Sequence, residues 1–326
     1  MLPGLFDRLA AWAASYAPLP RFTLLEGMLA TARRKRATAG LEAALWRRYD
    51  PRWPADGELP SAAVLSGLGE PTVLHATPVH LTVGMQDVIL TSPGEVTPAD
   101  MAQIDDLLNT HFGGNGLRHH LDPLGNGYLA FDDALEVRTT PPSQAAGGGI
   151  FEHLPRGPDA PRLHQLGNEL QMLLHAAPFN VAREQRRQPT INGLWLWGAG
   201  HGGNEPAPPH ELLVSDLPFA HACAAAAGQR RIAVPATFDI AALGGADSVL
   251  IVHDGLRRAA EEDDLHGWHE ALVRLEQQWL QPLRTALARG EIRQLVLDPC
   301  HGRRYHLSRA GRWKFWRRPK PLAAVS

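Results

Sequence analysis

Residues able to do chemistry gather in two places. His253, Asp254, Asp263, Asp264, His266 and His269 fall within one short stretch, and Asp298 and His301 follow an apolar run, Leu295-Val296-Leu297. Imidazole and carboxylate are the ligands of catalytic divalent metals. Strand ends are where α/β sheets place their sites. Spacing alone does not make these residues converge. His266 and His269 stand three apart in an amphipathic pattern, and His75 and His80 lack a third partner at metal-site spacing. Asp254, Asp263, His266, Asp298 and His301 are therefore candidates only, and no metal site is assigned.

A third stretch suits an anionic ligand. Asn192-Gly193-Leu194-Trp195-Leu196-Trp197-Gly198-Ala199-Gly200 alternates and then turns, with Gly202 and Gly203 beyond. Alternation predicts a strand. Apolar residues on both faces predict burial on both sides, as in a covered parallel sheet. The glycines allow close approach of backbone N–H groups to a phosphate, and Arg183 in the preceding connector offers a fork of donors. The ligand-binding candidates are Asn180, Arg183, Asn192, Trp197, Gly198, Gly200 and Gly202, while the tryptophans also read as core. A Walker motif, a Gly-x-Ser-x-Gly elbow and a GxGxxG spacing are all absent, so no cofactor is expected.

The elements that must position these groups follow from periodicity. Leu212-Leu213-Val214, Ile232-Ala233-Val234, Val249-Leu250-Ile251-Val252 and Leu295-Val296-Leu297 read as strands separated by helical patterns. That alternation predicts an α/β fold with a mostly parallel sheet sandwiched by helices. One long helix is expected from about Asp264 to Ala288, bent at Pro282. Its apolar face is Trp268, Leu272, Leu275, Trp279, Leu283 and Leu287. Upstream, strands are expected at Thr72 to His75, Val79 to Val83, Val88 to Leu90 and Tyr128 to Phe131. Thr97-Pro98-Ala99-Asp100 starts a helix, with Thr as N-cap and Pro in the first turn. Leu163, Leu166, Leu170, Leu173 and Leu174 mark another. Helices are expected over 5–17, 22–34 and about 41–48. The second ends in Arg33-Arg34-Lys35-Arg36, charges that suit a solvated helix C-terminus, the reading preferred here over an anion or nucleic-acid contact. The organisation expected is an N-terminal helical segment (1–70), an inserted small α+β subdomain (71–137), and an α/β domain (138–326) with a basic, aromatic tail.

The 326 residues are 44% hydrophobic with a net charge of -2, which gives no global attraction to nucleic acid or anionic membrane. Two cysteines, Cys223 and Cys300, build no disulfide framework. Met1 to Pro18 lacks the pattern of a signal peptide, and no apolar run is long enough to span a bilayer. A cytoplasmic protein is expected. In the tail, Arg312, Lys314, Arg317, Arg318 and Lys320 interleave with Trp313, Phe315 and Trp316. Such a pattern can bind single strands. A hairpin packing its aromatics on the sheet explains it as well. The sequence displays no matching basic surface elsewhere, so nucleic acid is not an expected partner.

Phe151 to Gly200 adds a family likeness. His153-Leu154-Pro155, Gly157-Pro158, Asn168-Glu169-Leu170, Pro178-Phe179-Asn180, Arg183, Asn192 and Trp195-Leu196-Trp197-Gly198-Ala199-Gly200 come in an order and spacing that resembles the archaeal-type cofactor-independent phosphoglycerate mutases of the alkaline-phosphatase superfamily. Tyr49-Asp50-Pro51, Val252-His253, Arg274-Leu275-Glu276 and Pro282-Leu283 extend the likeness. His153 to Pro158, the Trp-Leu-Trp-Gly strand and the Arg-Trp-x-Phe-Trp-Arg-Arg-Pro tail are similar to bacterial regulatory proteins of the RpfE type. The resemblance implies a reduced alkaline-phosphatase-like fold, two divalent metals and a serine or threonine nucleophile.

The departures bear on that chemistry. There is no N-terminal Asp-Gly with a following Asp. Thr38 and Ala39 stand where the serine is wanted. Gly255-Leu256-Arg257-Arg258 replaces the ligands after His253, and Pro299-Cys300 separates Asp298 from His301. The expectation is a retained fold without two-metal phosphotransfer: a regulatory protein, with a phosphorylated small molecule or another protein as its partner. Two alternatives stand beside it. One is an active mutase or phosphatase with ligands from Asp254, Asp263, His266, Asp298 and His301. The other is a nucleic-acid-binding regulator using the tail.

Overall fold

The computed structural model describes residues 1–326 except 17, 55–56, 85–86, 201–202, 314–316 and 326, with backbone alone at 312–313. Gly202 and the tail residues Lys314, Phe315 and Trp316 thus lie outside the described residues, as do the side chains of Arg312 and Trp313. The strands in chain order are β1 (Arg33–Ala39), β2 (Thr72–Val83), β3 (Val88–Thr91), β4 (Leu117–Leu121), β5 (Gly127–Phe131), β6 (Gly193–Trp197), β7 (Leu212–Ser215), β8 (Arg230–Ile232), β9 (Val249–Val252), β10 (Gln294–Leu297) and β11 (His301–Ser308). The chain forms two compact units. One comprises residues 1–44, 208–220 and 228–326, the other 45–207 and 221–227. Among the described residues no helix is long and apolar enough to cross a membrane.

The first unit holds the parallel strands, in order β8-β7-β9, and an antiparallel sheet, β1-β11-β10. Met1 and Leu2 run between them. The Met1 carbonyl accepts from His253 N at 3.1 Å, and Leu2 N donates to the Asp298 carbonyl at 2.7 Å. Two residues of extended chain therefore link the ends of β9 and β10. The helix Leu265–Leu275 continues through a π-helical stretch, Glu276–Leu280, into the helix Gln281–Arg289. The expected bend at Pro282 is thus preceded by a widened turn. Proline cannot donate back along the helix, and the Gln278 carbonyl accepts instead from Phe238 N at 2.9 Å. Trp268, Leu272, Leu275, Trp279, Leu283 and Leu287 are all buried in this unit's core, as the apolar stripe requires.

The basic run is a correction. Arg33 to Arg36 opens β1 rather than ending a helix, because the helix Thr23–Thr31 stops at an extended Ala32. In a helix Arg33 and Arg36 would be surface neighbours and repel. In a strand successive side chains point to opposite faces.

The second unit holds one sheet, β3-β2-β5-β4, with β6 added on β2, and every pairing is antiparallel. The parallel sheet expected around β6 is therefore a second correction: Trp197 stands opposite His75 and Trp195 opposite Thr77. All five β6 residues are buried. A continuous apolar run reports covering of both faces, not strand direction. The strand pair expected over 72–83 is one long strand. It pairs with β5, β6 and β3 in turn and keeps Pro78 within it. The helix Pro98–Phe112 carries the full capping box: Asp100 N donates to Thr97 Oγ1 at 3.1 Å and Thr97 N to Asp100 Oδ2 at 2.9 Å. The fold is thus a mixed α/β arrangement of several sheets, parallel only in β8-β7-β9.

Trp197 stacks on the imidazole of His75, with centroids 4.2 Å apart and planes at 22°. Burial drives the His75 pKa down to about 3. The unfolded chain then binds a proton that the folded chain refuses, so stability from this residue is complete above pH 6.5 and is lost as pH falls toward 3. Its maximal slope is about 1.4 kcal/mol per pH unit. Urea unfolding between pH 7 and 4 should show a shallower acid loss in His75→Gln than in the parent chain.

Candidate functional site

The groups expected to hold a phosphate are bonded within the second unit. The helix Pro178–Gln185 presents Asn180 and Arg183 on its buried side. Asn180 Nδ2 donates to the carbonyls of Leu174 (2.7 Å) and Ile191 (3.0 Å), and its Oδ1 accepts from Ile191 N at 2.8 Å. Arg183 is fully buried. Its Nε donates to the Pro189 carbonyl at 2.9 Å, Nη1 to the Glu95 carbonyl and to Asp100 Oδ2, both at 2.9 Å, and Nη2 to the Pro93 carbonyl. The fork grips backbone and a buried carboxylate. Asn192 pairs like a strand residue, with Oδ1 accepting from Leu81 N at 2.7 Å and Nδ2 donating to Leu81 O at 2.9 Å.

The glycine turn is equally committed. Gly198 takes a positive φ of 80°. Its N donates to Thr139 Oγ1 at 3.0 Å, and that hydroxyl donates to Glu58 Oε1 at 2.6 Å. Gly200 N donates to the Leu59 carbonyl at 3.0 Å. A Cβ on Gly200 would lie 2.4 Å from the Glu58 carbonyl oxygen, so the close approach these glycines permit is to the chain itself. Trp197 Nε1 donates to Thr77 Oγ1 at 2.8 Å. Sequence reasoning missed the pair beneath this turn, Ser61 Oγ and His75 Nε2 at 2.9 Å. Both residues are buried and the imidazole is covered by Trp197, which withholds this hydroxyl from substrate.

The ends of β9 and β10, in the first unit, gather ionisable groups. Asp254 and His253 follow β9, with the His253 ring edge-on to Trp279 at 5.4 Å. Arg257 Nη1 meets Glu261 Oε1 at 2.7 Å, and Nη2 lies 3.6 Å from Asp254 Oδ2. Burial opposes the Arg257 charge, but Glu261, Asp254 and Glu42 outweigh it and raise its pKa. Burial raises the Glu261 carboxyl, and Glu42 and Asp7 add to that rise while Arg257 opposes it. Asp7 keeps solvent access, yet crowding by protein raises its carboxyl pKa against the pull of His301. Asp298 is fully buried. Its Oδ2 pairs with Arg304 Nε at 2.6 Å and its Oδ1 accepts from Cys300 N at 3.0 Å. Cys300 reaches that bond through a left-handed φ of 61°.

Other sequence candidates are engaged differently. Asp263 accepts from Arg8 and Trp12, and His266 pairs with Glu270 on an exposed helix face. Among the described residues no three His, Cys, Asp or Glu side chains converge as a metal site. The residues present also fit a dication poorly. Two unit charges 4 Å apart at an effective dielectric of 20 interact by about 4 kcal/mol, so a dication beside Arg257 meets about twice that in repulsion. Asp7, Glu42 and Arg304 escaped sequence reasoning because they come from segments distant from β9, whereas Glu261 stands four residues after Arg257.

Arg183→Met should leave Asp100 buried without its cation and strip three carbonyls of a donor. The expected loss is about 3–5 kcal/mol in chemical unfolding, readable without any ligand present. An unchanged stability would return Arg183 to the role of a ligand group.

No protein-family model matches the chain. It is 28% identical over 276 residues to the 2,3-bisphosphoglycerate-independent phosphoglycerate mutase of Methanothrix thermoacetophila, covering 78% of this chain and 69% of that protein. It is 30% identical over 168 residues to a protein of Geobacter sulfurreducens named a probable 2,3-bisphosphoglycerate-independent phosphoglycerate mutase. That match covers 47% of this chain and spans 40% of the relative's length. Among solved structures it is similar to a cofactor-independent phosphoglycerate mutase from Thermoplasma acidophilum at 13% identity, covering 89% of this chain and 82% of that chain with a TM-score of 0.34. The chain has homologues named as cofactor-independent phosphoglycerate mutases, a family of the alkaline phosphatase superfamily.

Proposed function

We propose that this phosphoglycerate-mutase-like chain has lost two-metal phosphoryl transfer and acts by binding, as a regulatory protein. One observation carries the reading: the strand-end carboxylates already have internal cations. Arg257 lies between Asp254 and Glu261, and Arg304 holds the buried Asp298. A carboxylate whose charge is already balanced by a guanidinium gains less from a dication, which must also sit beside that guanidinium's positive charge. The likeness to regulatory proteins of the RpfE type, and a cytoplasmic location, belong to this proposal. A phosphorylated ligand remains part of it, but the bonding of Asn180, Arg183 and Asn192 moves that ligand away from those side chains.

The test is metal content and turnover. Protein equilibrated with Mn²⁺ or Zn²⁺ and desalted should retain less than one metal per chain by elemental analysis. It should give no 3- to 2-phosphoglycerate conversion above buffer. Two metals per chain together with conversion would overturn the reading in favour of an active mutase.

A further inference from the structure

β1 begins Arg33, Arg34, Lys35, Arg36, and all four residues are exposed. β11 runs antiparallel beside it, with Arg36 opposite Arg303, Lys35 opposite Arg304 and Arg33 opposite His306. Two basic segments from opposite ends of the chain thus meet along one sheet edge, with Arg33 and Lys35 on the face of Arg304, and Arg34 and Arg36 on the face of Arg303. Directly opposed like charges on neighbouring strands are destabilising, so the register works against the sheet's own folding energy. Arg304 is relieved by Asp298, and Arg34 lies 5.6 Å from the centre of the Tyr305 ring. Among the described residues Arg33, Lys35, Arg36 and Arg303 have no carboxylate within ion-pair distance. Arg317 Nη1 reaches the Ala30 carbonyl at 3.5 Å, at the entry to β1, and Arg318 and Lys320 beyond it are exposed.

A charged edge strand is also a guard against edge-to-edge pairing. That role accounts for β1, which ends the order β1-β11-β10. It does not account for Arg303 on β11, an interior strand. Nor does overall composition, since the net charge is -2.

We propose that the β1–β11 surface binds the phosphate backbone of nucleic acid without reading its bases. β1 is the end strand of its sheet, so its cations follow one another along an exposed edge about every 3.4 Å, alternating between faces, and their long side chains reach out beside that edge toward a linear polyanion. Guanidinium groups match phosphate oxygens in geometry. Tyr305, the aromatic of this register, is buried and offers no ring for base stacking, so contacts are to backbone and independent of sequence. This site is separate from the strand-end carboxylates and stands whether or not the chain turns over phosphoglycerate.

Fluorescence anisotropy with a labelled 20-nucleotide single strand, and with its duplex, tests it. Roughly four neutralised phosphates give a slope of log affinity against log salt near -3 for the single strand, or about a 50-fold loss between 50 and 200 mM salt. Arg33→Gln/Lys35→Gln/Arg36→Gln should weaken binding at least about tenfold and flatten the slope by about two. Arg258→Gln, removing an exposed cation paired with Glu262 elsewhere, should leave binding unchanged. Arg36→Gln and Arg303→Gln singly, each lowering the slope by about 0.7, serve if the triple variant does not fold. No binding at 50 mM salt, a slope untouched by these variants, or binding to phosphatidylserine vesicles in place of either oligonucleotide would overturn the proposal.

Discussion

A carboxylate taken out of water must be given a cation and hydrogen bonds, or surrender its charge. Three buried acids in this chain meet that demand with arginine. Glu26 takes Arg21 at 2.6 Å, Asp100 takes Arg183 at 2.9 Å and Asp298 takes Arg304 at 2.6 Å. In each pair the balancing charge is covalently part of the protein. It cannot dissociate or exchange.

Polar side chains elsewhere serve as replacement backbone. Asn192 presents a donor and an acceptor to Leu81, and Asn109 does the same for His119, with bonds of 3.0 Å to its carbonyl and 2.9 Å from its N–H. Asn180 joins the end of one helix to the approach to β6. An amide group carries the same pair of functions as a peptide bond, so it can extend a ladder where the chain has turned away. A motif of conspicuous polar residues in strict order can therefore mark scaffold as readily as binding surface.

Local elements were legible where a single periodicity ruled. The Thr97 capping box, the stripe from Trp268 to Leu287 and the buried alternation of β6 all appear as the spacing predicts. Partner direction was not legible, because apolar residues on both faces are compatible with parallel and antiparallel neighbours alike. Arg33 to Arg36 misled for a related reason: charge suits a helix end and a strand edge equally, and β11 decides between them from the far end of the sequence. The site suffered most. Arg183 and Asn180 have the chemistry of phosphate ligands, and only three-dimensional placement reveals which acceptors they face. Arg257 and Glu261, four apart, were readable as a pair among the candidate ligands, yet the Asp298–Arg304 bond required the fold.

Pro282 leaves a carbonyl unserved inside a long helix, and Phe238 from a distant loop serves it. A residue usually counted as a defect in a helix thereby becomes a socket: it opens one acceptor, at one height, on one side of the rod. The loop that plugs into it is placed by a vacancy rather than by an added contact. A helical donor restored at this point would have to share that oxygen with Phe238, so the proline leaves the whole acceptor to the loop.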